Sequence, residues 1–281
     1  AEVLKALDPE CLHDLSRLEH VQGISYRSAD GVRRTESRDR IADLDTIPSP
    51  YLMGLFDDFG ASRAGAILET NRGCPYSCSF CDWGSAIASK LRRFDMERLL
   101  AEISWFADNK ITWVFGCDAN FGILKRDIEL AQALALVREE TGYPYDFRVC
   151  FAKNSNDRVF QVAKILHDAE MSKGVSLSMQ SMDEDTLRNI KRHNIKLDNF
   201  QALQTRYNRE GMATYSEIII GLPGETYTSF VAGLDVLLEQ GPHSGLNIYN
   251  CTVMPNAEMG DPAYQEKHGL QLVELPIFQA H

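Results

Sequence analysis

From residue 61 onward the chain alternates short apolar runs with helical patterns, and that alternation limits the fold more than any other feature. The runs cover 66–69, 111–115, 147–151, 175–179, 215–220 and 246–251. Between them apolar residues recur at helical spacing. Leu99, Leu100, Ile103 and Phe106 follow a capping Asp95, and Ile128, Leu130, Leu134 and Val137 mark 126–140, which Gly142 ends. Further helices are predicted over 157–170, 183–191, 197–209 and 226–240. Strands alternating with helices of this length mean βαβ units and a parallel sheet. Six units make an α/β fold, either a partial barrel or a doubly wound sheet, and periodicity does not separate the two.

Residues 8–19 read as a short helix, with Asp8 as cap, Pro9 in the first turn and Leu12, Leu15 and Leu18 on one face. Two β-like runs, 23–27 and 32–35, flank Asp30-Gly31 and predict a hairpin. The stretch Ile47-Pro48-Ser49-Pro50-Tyr51 is extended, because each proline bars helix in the residue before it. The expected organisation is a helix/hairpin lead-in over 1–60, the six-unit body over 61–255 and a C-terminal extension over 256–281. The chain begins at Ala1 and its last stretch does not close, so it reads as part of something longer.

Charge narrows the functions. With 29 Lys+Arg against 40 Asp+Glu the net charge is −11, which argues against binding long nucleic acid through phosphates. No apolar run is long enough to span a bilayer, and residues 1–20 do not form a signal peptide. Seven cysteines, an odd count with three clustered, point to a reduced, cytoplasmic protein.

Those three are Cys74, Cys78 and Cys81, with gaps of three and then two residues. Soft thiolates this close suit an iron–sulfur cluster or zinc, and they span too little chain to staple a fold. A four-iron cluster takes four thiolates, so three leave one iron open. Zinc would need Asp82 or a distant His as fourth ligand. The seven His residues show no ligand spacing.

The segment Cys74-x-x-x-Cys78-x-Phe80-Cys81 resembles the signature of the radical S-adenosylmethionine (SAM) enzymes. The resemblance covers roughly 61–255 and implies an open, partial (β/α)6 barrel. It implies a [4Fe–4S] cluster on the three cysteines, SAM chelated at the open iron, and an electron that cleaves the sulfonium to give a 5′-deoxyadenosyl radical. It also assigns roles at strand ends. Phe80 lies against the adenine or shields the cluster. Asp118 and Asn120 stand where many members carry a Gly-Gly-Glu-like motif; this chain departs from it. As carboxylate and amide they could accept from SAM's ammonium; the bland alternative is a helix-leading turn. Lys153 meets a substrate or SAM carboxylate, and Asn156 caps a helix. Gln180 and Ser181 reach the ribose, and Arg192 the carboxylate; otherwise Arg192 is a solvated helix end. Gly221-Leu222-Pro223-Gly224-Glu225-Thr226 marks the fifth strand end, where backbone at Ile219 and Gly221 contacts adenine and Thr226 caps the next helix. Pro255 belongs to the closing loop beside the adenine. Cys117, Cys150 and Cys251 read as radical-capping thiols or as small buried hydrophobes, and Cys11 as core.

Residues 43–52 resemble the segment that joins an N-terminal cobalamin-binding domain to the barrel in one large subfamily. That implies a cobalamin-dependent C-methyltransferase acting on an unactivated C–H bond. One SAM would methylate cobalamin and a second would make the radical. No Asp-x-His-x-x-Gly segment, of the kind that supplies a cobalt ligand, lies in the 281 residues. The other readings are a cobalamin-free radical SAM enzyme (rearrangement, epimerisation or cross-linking) and a zinc-stabilised binding module. The implied partners are a small-molecule or peptide substrate and an electron donor such as flavodoxin or ferredoxin.

Overall fold

A computed structural model describes Val3 and residues 15–57, 65–83, 89–153, 157–239 and 245–274. Two compact units are present, Ala1–Leu44 and Asp45–His281. In the first, β1 (Ser25–Ser28) and β2 (Gly31–Arg34) pair antiparallel. The turn closes through Gly31 at φ 116° and a Ser28 hydroxyl donated to Gly31 O at 3.0 Å. The hairpin expected at Asp30-Gly31 therefore forms. The expected helix over 8–19 lies partly outside the described residues, and Leu15–His20 is a 3-10 helix that buries Leu18 alone.

The second unit holds β3 (Gly65–Leu68), a short pair β4 (Asn71–Arg72) and β5 (Arg92–Arg93), and helix α1 (Met96–Asp108). Then come β6 (Trp113–Phe121), α2 (Asp127–Thr141), β7 (Asp146–Phe151), α3 (Asp157–Asp168) and β8 (Val175–Gln180). Two helices, α4 (Glu184–Asn189) and α5 (Leu197–Arg209), lead to β9 (Thr214–Ile220), α6 (Tyr227–Glu239), β10 (Gly245–Asn250) and α7 (Pro262–His268). Six of these strands form two parallel ladders, β3-β6-β7 and β8-β9-β10. Strand order follows chain order in both. A doubly wound sheet reverses its order at a switch point, so the course is that of a partial barrel.

Alternation along the strands separates two faces. Val175, Leu177, Met179 and Ile218 are buried with Phe160, Phe200, Tyr207 and Leu237 from the helices. The intervening Ser176, Ser178, Tyr215 and Glu217 are half-buried on the other face. Helix ends follow local chemistry. Asp95 accepts from Glu97 N at 2.8 Å, Thr226 Oγ1 accepts from Ser229 N at 3.0 Å, and Gly142 closes α2 at φ 81°.

One strand corrects the sequence reading. The run 111–115 was expected to end before Gly116, but β6 continues to Phe121. Gly116 is not a turn residue: a Cβ there would stand 3.0 Å from Phe147 Cζ. The missing side chain makes room for that buried ring.

The lead-in after Asp45 packs on the barrel. Asp45 Oδ1 accepts from Asp95 N at 2.9 Å, and Arg98 donates to Ile47 O. Tyr51 Oη donates to Ile67 O at 2.8 Å and accepts from Ile67 N at 2.9 Å. It thereby satisfies the backbone of the edge strand β3, where a further strand could otherwise pair.

Candidate functional site

The cysteine loop leaves β3 and is tied at its base. The β4–β5 pair brings Asn71 and Arg72 opposite Arg93 and Arg92. Above it Ser89 N donates to Cys74 O at 2.8 Å. Gly73 has φ 120°, and a Cβ on it would stand 2.5 Å from Lys90 O, so the position requires glycine. Arg126 clamps both stems, donating to Thr70 O at 2.7 Å and to Phe94 O.

The far end of the loop is docked across the mouth. Ser79, 1% exposed, donates its N–H to Ile190 O at 3.0 Å and accepts on its carbonyl from Met259 N at 2.9 Å. Its hydroxyl meets Tyr264 Oη at 2.9 Å. Phe80 packs beside Ile190, Leu222, Met259 and Tyr264, together with Ile219 and Cys251. Residues at or after the fourth, fifth and sixth barrel strands thus converge on the loop.

Asp118 and Asn120 both lie within β6, fully buried, and not in a helix-leading turn. Asp118 Oδ1 accepts from Thr70 N at 2.8 Å and Asn71 N at 3.1 Å, and Oδ2 accepts from Asn71 Nδ2 at 2.8 Å and from the Thr70 hydroxyl. Both oxygens are thus committed to the residues that launch the cysteine loop. Burial pushes the Asp118 carboxyl up to about 6, against the pull of those hydrogen bonds. Asn120 is placed differently. Its Nδ2 donates to Cys74 Sγ at 3.3 Å, while its buried Oδ1 has no partner.

Cys74 and Cys78 are buried and Cys81 is half-buried. Burial pushes the Cys81 thiol up, the Lys153 ammonium pulls it down, and Cys78 and Cys74 push it up further. Pro75, Tyr76, Ser77 and Cys78 line a cavity of about 120 Å³ with Lys153, Lys191, Arg192 and His193. In a chain of net charge −11 this is a locally cationic surround. Arg192 is not a solvated helix end. It is 5% exposed, donates to Asn194 Oδ1 at 2.9 Å and to Ser178 O, and lines the same cavity as Cys78.

Gln180 ends β8 in the left-handed region at φ 66° and is buried. Such a backbone at a strand end costs about 1–3 kcal/mol and clusters at ligand sites. Ser181 Oγ donates to Glu225 Oε1 at 2.5 Å and accepts from Asp183 N at 3.1 Å, which ties the fourth strand end to the Gly-Leu-Pro-Gly-Glu-Thr turn. Gly221 holds φ 90° at the end of β9, and Pro255 is exposed. Lys153 Nζ stands 5.9 Å from the Phe80 ring centroid. Asn154, Ser155, Asn156 and Cys11 lie outside the described residues. Cys117 is half-buried, Cys150 is exposed, and Cys251 packs 3.5 Å from Met259 Sδ.

Among the described residues no three His, Cys, Asp or Glu side chains are gathered to hold one metal ion. A tetrahedral zinc needs its donors about 2.0–2.3 Å from one point, whereas cysteines that each bind a different iron of one cluster need not converge so tightly. Three free thiols on one short loop fixed at both ends, with an N–H donor and cations beside them, fit a thiolate-ligated cluster.

A family model described as the Radical SAM superfamily matches residues 68–237, more than half of the chain. The chain belongs to the radical SAM superfamily. A [4Fe–4S] cluster and SAM are the cofactors of that superfamily. The cobalamin-dependent radical SAM methyltransferase TokK of Streptomyces tokunonensis is 50% identical over 264 residues, covering 92% of this chain and 39% of that protein. The 2-(S-pantetheinyl)-carbapenam-3-carboxylate methyltransferase of Streptantibioticus cattleyicolor is 47% identical over 275 residues, covering 96% and 40%. The chain thus spans about two fifths of the length of these relatives. The solved radical SAM methyltransferase TsrM from Kitasatospora setae, with tryptophan and a SAM analogue bound, aligns at TM-score 0.62 and 17% identity, over 89% of this chain and 51% of that one. At that identity the likeness is one of fold. Among the described residues no helix is long and apolar enough to cross a membrane.

Pattern reading had no means to find four of the residues that organise this site. Thr70 and Asn71 adjoin the motif, yet their purpose appears only when Asp118 is folded against them. Ser79 and Tyr264 are 185 positions apart.

Proposed function

We propose that this chain is the radical SAM core of a cobalamin-dependent C-methyltransferase. The observation that carries the proposal is the cysteine loop, anchored at a barrel mouth, in a chain 50% and 47% identical to two enzymes named for methyl transfer. Residues 61–255 are the catalytic barrel, and 43–52 would connect it to a cobalamin-binding domain. Cys74, Cys78 and Cys81 would hold the cluster. When bound, cluster and SAM together supply a radical able to take a hydrogen atom from carbon, and cobalamin supplies the methyl group.

The protein's own side chains would orient these groups and exclude water. Asn120 Oδ1 is the buried acceptor free to take an N–H of the SAM ammonium, whereas Asp118 serves to hold the loop. Lys153 and Arg192 bring positive charge to the side of the loop where a carboxylate would lie. Phe80, with Ile219, offers an apolar wall for the adenine, beside the backbone turn at Gly221 and the loop carrying Pro255. Gln180, held at a strand end, would hold the ribose, and Ser181 fixes that strand end. The reductant is an electron donor such as flavodoxin or ferredoxin.

The substrate we propose testing first is a carbapenam carboxylate bearing a pantetheinyl thioether, the class in the name of the S. cattleyicolor relative. Full-length protein, reconstituted anaerobically with iron, sulfide and cobalamin, should convert methyl-labelled SAM into S-adenosylhomocysteine, 5′-deoxyadenosine and a labelled product. A protein that makes 5′-deoxyadenosine yet binds no cobalamin would fall to the cobalamin-free reading. A colourless protein that holds one zinc and leaves SAM intact would end the radical SAM activity altogether.

A further inference from the structure

Two side chains approach the cysteine loop from different parts of the barrel, one as a hydrogen-bond donor to a sulfur and one as a buried cation. Asn120, 1% exposed on β6, donates through Nδ2 to Cys74 Sγ at 3.3 Å. Arg192, 5% exposed after α4, lines the 120 Å³ cavity together with Cys78 and brings a buried guanidinium charge to it. Each side chain is held from behind. The Asn120 backbone is part of a strand, and the Arg192 guanidinium is fixed by Asn194 Oδ1 at 2.9 Å and by Ser178 O. Neither can swing away to solvent.

A hydrogen bond to a cluster thiolate withdraws charge from the sulfur and favours the more negative, reduced cluster. A buried cation beside the thiolate acts in the same direction, and a full charge in a poorly screened surround acts more strongly than a neutral amide dipole. We propose that Asn120 and Arg192 set the reduction potential of the cluster through Cys74 and Cys78, with Arg192 contributing the larger share. This rests on the cluster reading of the loop and goes beyond the SAM contacts that the same residues are expected to make. Tuning the potential and binding SAM are separable, because only the first acts before SAM arrives.

The test is an anaerobic redox titration of full-length, reconstituted protein, followed by electron paramagnetic resonance, first without SAM and then with it. The variants are Arg192→Met, Arg192→Lys and Asn120→Leu. The SAM-free potential should fall in Arg192→Met by the equivalent of roughly tenfold in the reduction equilibrium, which is about 59 mV for one electron. It should fall less in Arg192→Lys, which restores the charge without the planar fork, and less in Asn120→Leu. Unchanged SAM-free potentials in all three variants, with weakened SAM binding, would overturn the proposal and leave both residues to SAM alone. Variants that fold by circular dichroism but take up no iron would overturn it too, by making the two residues part of loop assembly. A wild-type protein that takes up no cluster refutes the cluster reading itself, an outcome distinct from an unmoved potential.

Discussion

Replacing Asp118 by Ala should release the cysteine loop, while replacing it by Asn should not. The Ala variant takes the acceptor from three buried donors, Thr70 N, Asn71 N and the Thr70 hydroxyl, while Asn71 Nδ2 keeps the Thr70 hydroxyl oxygen at 3.2 Å. At about 1–3 kcal/mol each, the loss is roughly 3–9 kcal/mol. Removing the buried charge offsets part of it. The carboxyl rises from 3.8 to about 6, and two pKa units are about 3 kcal/mol at neutral pH. The net cost of Ala is therefore about 3 kcal/mol. Asn keeps one oxygen for the two backbone donors, and the Thr70 hydroxyl can reverse its role. Asn71 Nδ2 then loses one of its two acceptors and keeps the Thr70 hydroxyl oxygen; that loss, about 1–3 kcal/mol at most, is cancelled by the lost ionisation cost. Iron content after reconstitution and denaturant unfolding of the apoprotein measure the two effects. The sign with pH is also fixed. A carboxyl with a raised folded pKa stabilises fully below its unfolded value and loses that contribution as pH rises through the folded one. Wild type should therefore lose about 1 kcal/mol of stability from this group between roughly pH 5.5 and 7.5, and Asp118→Asn none of it. Equal iron loss in the Ala and Asn variants would refute the anchoring role.

Cys78→Ala should abolish cluster uptake and SAM cleavage while the barrel still folds, read by iron analysis, 5′-deoxyadenosine and circular dichroism. Gly73→Ala forces a side chain into a positive-φ position 2.5 Å from Lys90 O; strain of about 1–3 kcal/mol or more should cut iron content with little change in the overall melt. Tyr51→Phe strips both partners from the Ile67 backbone and should cost about 0.5–1.5 kcal/mol in urea unfolding, with faster amide exchange along β3. Ser79→Ala removes one partner of Tyr264, which keeps its bond to Asn189 O at 2.8 Å. A loss of about 0.5–1.5 kcal/mol in unfolding is expected, with cluster uptake retained.

Much of the architecture was legible because each βα unit carries its own local signals. Apolar runs of strand length, Asp95 as a cap and Gly142 as a stop do not depend on distant residues. The order of the strands did, and so the choice between barrel and doubly wound sheet needed coordinates. Asp118 shows the same limit at the site. Its place after the second strand suggested a contact to SAM's ammonium or a helix-leading turn, yet β6 runs past Gly116 and buries it against Thr70 and Asn71. Arg192 was ambiguous for a related reason. A cation after a short helix suits solvent, and only the fold shows Ser178 O and Asn194 waiting for it.

The docking of Ser79 has a mechanical consequence. The described strands form two separate three-stranded ladders, and the cysteine loop, rooted in the first, is fastened through Ser79 to Ile190 and Met259, which belong with the second. The loop is therefore a strap across the seam as well as a seat for a cofactor. Whatever stiffens the strap also draws the two half-barrels together, and whatever loosens it lets them part.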